Sequence, residues 1–272
     1  MKPTRKLRLV PLAAVALAAT TWAPIGLAQG QRGAGAPQPP PIRFRVQVSQ
    51  IKPEMVPAYQ DLIKNDLLPA LKKAGQTWQW AFTSGPVGQN FTYVTVSPVT
   101  NYAQFDQQPS PVAQALGPAG IANLGAKFRQ TVASQQAYID TLRQDLSIVS
   151  NSDTPPAIVV IQALQIAPGK GQEFTNVITT DWLPLFKKAG WKDVWFTNRT
   201  FGGPPGVAQI RFLSKYAELD EPGLLQKAGL TPEQIQALLA RRNAVASVVN
   251  NEILRYVPDL SFGMPAMPRP TP

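Results

Sequence analysis

Three pairs of side chains recur at equivalent places in two similar stretches of this 272-residue chain, and they are its strongest candidates for chemistry. They are the tryptophans Trp80 and Trp195, the aspartates Asp66 and Asp181, and the arginines Arg129 and Arg242. Tryptophan offers a large apolar surface, a carboxylate can accept protons, and arginine can clamp an anion through two N–H groups. Together these residue types favour binding of a small apolar or aromatic molecule.

Each pair also has a purely structural explanation. The tryptophans could fill a core, as large aromatic side chains usually do. The aspartates stand three residues before Pro69 and Pro184, where each could cap the second half of an interrupted helix. The arginines could lie on the surface. Tyr102 and Tyr216, another recurring pair, could anchor turns or act as general acids.

Composition excludes several classes of enzyme. The chain contains neither histidine nor cysteine. It therefore lacks the residues for a Ser-His-Asp triad, a thiolate nucleophile, an iron–sulfur cluster or a zinc site built on these ligands. No phosphate-binding or dinucleotide-binding motif occurs, and we expect no cofactor and no metal.

The charge of the chain argues against nucleic acid as a partner. The net charge is +10, but four of the 26 lysines and arginines lie in the first 28 residues, which contain no acid. About six positive charges therefore remain in excess over the rest of the chain. They are dispersed rather than concentrated in a stripe, which indicates a solvated, mildly basic surface.

The N-terminus predicts export. A basic head is followed by an apolar run from Leu9 to about Ala19 and by the small-residue exit Gly26-Leu27-Ala28. These are the three parts of a secretory signal peptide. The apolar run is shorter than the roughly 20 residues that span a bilayer, so we expect a periplasmic or secreted protein with no membrane span after cleavage.

An internal repeat organises the remainder. Residues 46–80 align with residues 161–195 at a separation of 115, and the run Lys-Lys-Ala-Gly at 72–75 recurs at 187–190. Further along, Leu142-Arg143 recurs as Leu254-Arg255. The predicted organisation is a signal peptide (1–28), a Pro/Gly-rich linker (29–41), repeat 1 (42–150), a linker (151–156), repeat 2 (157–262) and a Pro-rich tail (263–272).

Each repeat has the predicted order β-α-β-β-α-β. Phe44, Val46 and Val48 alternate with polar residues and indicate a strand with one buried face. A helix closed by Gly75 and interrupted by Pro69 comes next. The remaining elements are two strands at about 77–83 and 91–97, a long helix at about 119–142, and a short last strand at about 146–149. This order predicts an α+β chain of two tandem ferredoxin-like repeats, which cover each other's sheets.

The chain resembles the dimeric α/β-barrel superfamily, in particular its tandem NIPSNAP-like branch. The resemblance rests on a first strand followed by Lys-Pro-Glu (52–54) or Ala-Pro-Gly (167–169), then a helix with Leu-Pro and Lys-Lys-Ala-Gly, and a second strand that carries a tryptophan. It covers about residues 43–262. It implies an intramolecular dimeric α/β barrel, in which relatives often bind small apolar or aromatic ligands.

Three functions stay open. The first is an exported protein of unassigned activity that binds a small apolar or aromatic molecule in a half-barrel pocket. The second, implied by the resemblance, is a cofactor-independent monooxygenase of the antibiotic-biosynthesis type. The third is a structural envelope protein whose Pro-rich tail could bind a partner. The chain could also oligomerise further. The haem-degrading branch of the superfamily relies on a proximal histidine, which this chain lacks.

Overall fold

The computed structural model describes residues 40–150, 152–221 and 223–265. The predicted signal peptide, nearly all of the first linker and most of the Pro-rich tail lie outside these ranges. The strands are β1 (Arg43–Ile51), β2 (Trp80–Ser84), β3 (Thr92–Val99), β4 (Val132–Leu142), β5 (Ile158–Ile166), β6 (Val194–Phe201), β7 (Val207–Leu213) and β8 (Ala246–Tyr256). The helices are α1 (Val56–Asp61), α2 (Leu68–Lys73), α3 (Pro111–Thr131), α4 (Gly171–Val177), α5 (Leu183–Lys188), α6 (Leu224–Lys227) and α7 (Pro232–Asn243).

The eight strands form one closed antiparallel barrel in the order β1-β3-β2-β8-β5-β7-β6-β4. The first four strands have the order β4-β1-β3-β2, and the last four repeat it as β8-β5-β7-β6. The two halves join edge to edge, β2 with β8 and β4 with β6. Their inner faces therefore line a common lumen, and neither half is left with a free sheet edge.

The two seams between the halves have the same register. Leu142 lies opposite Thr197 at the β4–β6 seam, and Tyr256 lies opposite Phe82 at the β2–β8 seam. Residue 142 thus corresponds to residue 256, whereas the sequence match paired Leu142 with Leu254. At this end of the strand the sequence match is two residues out of register, which preserves the inward face but shifts the pairs.

A π turn accommodates each proline that interrupts the first helix of a half. Residues Leu62–Leu67 form the wide turn between α1 and α2, and Ile178–Trp182 form it between α4 and α5. The Leu68 N–H donates to the carbonyl of Ile63, five residues back, immediately before Pro69. Since proline cannot donate and its ring crowds the preceding turn, the wide register carries the helix past it.

The predicted long helix ends earlier than expected. Helix α3 stops at Thr131, and residues 132–142 form β4 instead, with no intervening loop. This segment pairs with β1 on one side and β6 on the other, so long-range ladder bonds override the local helical pattern. The predicted last strand is reduced to a single bridge between Ile148 and Val194.

Apolar clusters lie on both sides of the barrel wall. Outside it, the helices of each half pack on their own sheet, with Tyr59 and Ile63 in the first half and Phe174 and Phe186 in the second. Inside it, a third cluster contains Phe44 and other lumen residues. Within the described ranges, no helix is both long and apolar enough to cross a membrane.

Tyr102 and Tyr216 each hold a turn against the opposite half. Tyr102 packs edge to face on Phe201, with ring centroids 5.6 Å apart, and the guanidinium of Arg43 lies 4.8 Å from its ring. The hydroxyl of Tyr216 lies against the backbone of Gly85. Both tyrosines therefore brace the seams, which favours their interpretation as anchors.

Gly202 provides a test of the β4–β6 seam. It has φ +94°, and a Cβ placed there would lie 2.2 Å from the carbonyl oxygen of Ala137 on β4. We expect Gly202→Ala to lower the free energy of unfolding by about 2 kcal/mol or more, because the backbones of residues 202 and 137 must move apart to admit the new methyl group. The matched control is Gly171→Ala, where no atom lies within 4 Å and φ is ordinary. Urea unfolding followed by tryptophan fluorescence measures both, and equal effects would contradict the close approach.

Candidate functional site

The barrel lumen contains a cavity of about 350 Å³ with mainly apolar walls. The inward residues of β1, β3, β5 and β7 supply these walls, namely Phe44, Val46, Val48, Val94, Val96, Val159, Ile161, Ile210 and Phe212. Alternation along each strand places these side chains inside the barrel and their neighbours along the chain outside it. Phe44, Val46 and Val48 therefore lie on the same face of β1, and that face points into the lumen.

The structure brings Trp80 and Trp195 together inside the barrel. Trp80 extends from β2 and Trp195 from β6, and their rings stack with centroids 6.3 Å apart and planes 18° apart. Phe212 meets the Trp195 ring edge to face at 4.6 Å. These three residues line both the 350 Å³ cavity and a second cavity of about 800 Å³. The tryptophan pair is therefore a partition between the two cavities.

A buried ion pair lies in the wall of the lumen at the β4–β6 seam. Nε of Arg199 donates to the carboxylate of Asp140 at 3.2 Å, and Asp140 is only 5% exposed. The Arg199 guanidinium also lies 3.6 Å from the centroid of the Tyr138 ring. Burial raises the pKa of Asp140, and the charge and hydrogen bond of Arg199 oppose that rise. The carboxyl group thus holds its proton to a higher pH than an exposed aspartate would.

Two further polar atoms of side chains that line the lumen have no hydrogen-bond partner among the described residues. They are Oγ1 of Thr197, which lines the lumen and is 2% exposed, and Nε1 of Trp195. The equivalent Nε1 of Trp80 donates to the carbonyl of Gly263 at 3.3 Å. Buried polar groups in folded proteins are nearly always hydrogen-bonded. The Thr197 hydroxyl is therefore suited to a polar atom of a bound molecule.

The buried polar side chains that line the lumen, Asp140 and Thr197, lie at one seam, and the other polar lining residues, such as Glu252 of β8, are more exposed. At the positions that correspond to Thr197 and Arg199, the other seam has Phe82 and Ser84. Asp140 lies opposite Phe44 of β1, and Leu254 lies opposite Val159, the residue of β5 that corresponds to Phe44. Leu254 therefore takes the position of Asp140 at the other seam. The fold itself therefore does not require an ion pair or a hydroxyl at these places.

Sequence reasoning missed Asp140, Thr197 and Arg199. A search for recurring residues finds only the residues that the two halves share. These three residues have different counterparts in the other half, so the search passes over them. Comparison of β2 with β6 at the separation of 115 would have shown Thr197 against Phe82 and Arg199 against Ser84. Asp140 could not be found this way, because the sequence match of β4 with β8 was two residues out of register.

The predicted aspartates lie outside the barrel, in the π turns. Asp66 pairs with Lys127 of α3 at 2.5 Å and lines a groove between α2 and α3. Asp181 lies 3.1 Å from Nη2 of Arg241. Each carboxylate thus connects the interrupted first helix of its half to the last helix of that half. Neither lines the lumen, so the structure does not bring them together with the tryptophans.

The predicted arginines also lie in the helical layer. Arg129 is exposed in the last turn of α3. The Arg242 guanidinium lies 5.3 Å from the ring centroid of Trp182 and donates to the side-chain oxygen of Asn243, and burial lowers its pKa. Neither arginine is among the residues that line the lumen.

Comparison with known proteins relates this chain to solved structures alone. No family model matches it, and no curated protein does. An anthrone oxidase-like protein superposes with a TM-score of 0.52 and 10% identity, over 79% of this chain and 91% of that one. A proposed monooxygenase from Fusobacterium nucleatum subsp. nucleatum superposes with a TM-score of 0.51 and 9% identity, over 80% and 94%. At such identity the likeness concerns the fold: the chain has the dimeric α/β-barrel fold, with all eight strands on one polypeptide.

Proposed function

We propose that the lumen binds a small, mainly apolar or aromatic molecule that carries one hydrogen-bonding group. The observation that supports this most directly is the group of Asp140, Arg199 and Thr197 in the wall of a mainly apolar cavity, which has no counterpart at the matching positions of the other seam. An apolar pocket with a few convergent polar groups is the usual form of a small-molecule site. A barrel with a purely structural role would be expected to fill its lumen.

The size of the cavity limits the ligand. About 350 Å³ lies near the lower end of the range for small-molecule sites, so one or two fused rings suit it better than a large cofactor. The Trp80–Trp195 stack closes one end and offers a flat aromatic surface. The ligand's polar group would face Thr197 and the ion pair, since leaving a buried polar group unpaired costs about 1–3 kcal/mol.

The same proposal includes the finer description of the family. We interpret each half as a ferredoxin-like βαββαβ repeat of a NIPSNAP-like protein. The equal strand order of the halves and the recurring Leu-Pro and Lys-Lys-Ala-Gly runs support this interpretation. Export to the periplasm or beyond is part of it, and rests on the basic head, the apolar run and the small-residue exit of residues 1–28.

A second candidate is a cofactor-independent monooxygenase. The observation that favours it is the buried Asp140 carboxylate, whose raised pKa suits a general base beside an aromatic-lined cavity. Such a base would take a proton from an electron-rich aromatic, and the resulting anion would reduce O₂, with one oxygen atom entering the aromatic and the other leaving as water. The fold shared with the anthrone oxidase-like protein is compatible with this chemistry.

Native mass spectrometry of the full chain, purified from its own envelope fraction, is the direct test. A small molecule that co-purifies, and whose removal changes tryptophan fluorescence, would support the lumen as a binding site. Its chemistry and any consumption of O₂ would then separate a carrier from an oxygenase. A bare mass with fluorescence indifferent to small-molecule extracts would favour the structural role.

Thr197 provides a test with a defined probe, 2-naphthol, which is a neutral aromatic with one hydroxyl. Thr197→Phe recreates the other seam, where Phe82 stands, and should lower affinity at least a hundredfold because the ring occupies the cavity. Thr197→Val keeps the volume and removes the hydroxyl, and should lower it about tenfold. Tryptophan fluorescence titration measures both affinities. Equal binding by wild type and Thr197→Phe would contradict the lumen site.

Asp140 predicts a dependence of stability on pH. Because the pKa of Asp140 is raised in the folded state, the folded protein binds more protons than the unfolded chain at pH values between the ordinary and the raised pKa. This contribution to stability is present below the ordinary pKa and is lost as the pH rises through the folded pKa. Wild type should therefore lose stability relative to Asp140→Asn as the pH rises across that window. Urea unfolding at several pH values measures the difference, and a change of opposite sign would refute the assignment.

A further inference from the structure

The second cavity, of about 800 Å³, lies on the other side of the tryptophan partition. It is bordered by residues 152–157, by the loop 189–193, by the end of β7 and by residues 264–265. Its lining combines apolar side chains such as Phe212 and Met264 with charged ones. It is thus larger and more polar than the lumen cavity.

Arg211 of β7 lines this cavity and is held by an aromatic stack. Its guanidinium carbon lies 4.2 Å from the centroid of the Trp191 ring. The other neighbour of Trp191 is Phe186, with centroids 5.0 Å apart and planes 11° apart. Phe186 is fully buried in the core of the second half. The guanidinium therefore rests on a surface that is fixed to the core.

No hydrogen bond or ion pair engages the side chain of Arg211 within the described part of the chain. The acids that line the cavity are largely occupied: Glu218 accepts from Ser214 and Glu221 pairs with Lys227. Asp193 likewise accepts from the backbone and hydroxyl of Ser150. Burial lowers the pKa of Arg211, and the charges of Glu218 and Glu221 partly oppose this. A partly desolvated guanidinium with unused donors is suited to an anion.

The first half of the chain lacks this arrangement. Val96 lies opposite Val46, and Ile210 lies opposite Ile161, the counterpart of Val46 in the second half. Val96 therefore corresponds to Ile210, and the next residue, Ser97, corresponds to Arg211. The position of Trp191, directly after Lys-Lys-Ala-Gly, is Gln76 in the first half. The fold is thus built in the first half without either residue of the pair.

We infer that the second cavity binds a monocarboxylate with an apolar body. The carboxylate would accept two N–H groups of Arg211, with Lys192 at the same cavity adding positive charge. The apolar body would lie against Phe212, Met264 and the tryptophan partition. A single negative charge is specified because Glu218 and Glu221 lie close enough to repel a more highly charged anion. This site is distinct from the lumen and does not depend on the function proposed for it.

Calorimetric titration of the full chain with octanoate and with neutral octanamide tests the inference. Octanoate should bind at least tenfold more tightly than octanamide. Arg211→Gln should weaken octanoate at least tenfold, and Arg211→Lys, which retains the charge and loses the planar fork, should give an intermediate loss. Arg255→Gln, at an exposed position of β8, is the matched control and should bind as wild type does.

Thr197→Phe separates this site from the lumen. It should lower the affinity for 2-naphthol at least a hundredfold and leave octanoate binding unchanged. Loss of both would place octanoate in the lumen and overturn the inference. It would equally be overturned if octanoate and octanamide bound alike, or if Arg211→Gln and Arg255→Gln had equal effects. Should Arg211→Gln fail to fold, Arg211→Lys with the octanamide comparison decides the question alone.

Discussion

Closure of the barrel at two seams is the constraint on which the rest of the structure depends. A four-stranded antiparallel sheet with helices on one side leaves two free edges and one bare apolar face. Pairing β2 with β8 and β4 with β6 removes both problems at once. The close approach of Gly202 to β4 and the bracing tyrosines Tyr102 and Tyr216 lie at or beside these seams. The lumen exists only because the seams are formed.

The candidate sites follow from that closure. Asp140 and Arg199 come from different halves and meet only across the β4–β6 seam. The stacked tryptophans also come from different halves, and they divide the space inside the barrel from a more polar cavity next to it. The helical layer has a different task. Its ion pairs, such as Asp66 with Lys127, connect helices of the same half.

Recurrence in the sequence predicted what the two halves share. It identified Trp80 and Trp195, which do meet in the lumen, and the alternation that lines it. Local pattern failed for residues 132–142, because their strand state depends on partners about 90 residues before and 60 residues after them in the chain. The buried pair of Asp140 and Arg199 was missed for another reason. It is a departure from the repeat, and its two members become neighbours only through the register of the seam.

Carrying both halves on one polypeptide has a consequence for symmetry. In a barrel assembled from two identical chains, every substitution in a seam appears twice, so a carboxylate placed at one seam is placed at both. A single chain breaks that equality and lets each seam change on its own. Here one seam has Leu254 and Ser84 at the positions where the other has the pair of Asp140 and Arg199. Having both halves on one polypeptide thus permits an ion pair in the wall at one seam and none at the matching positions of the other.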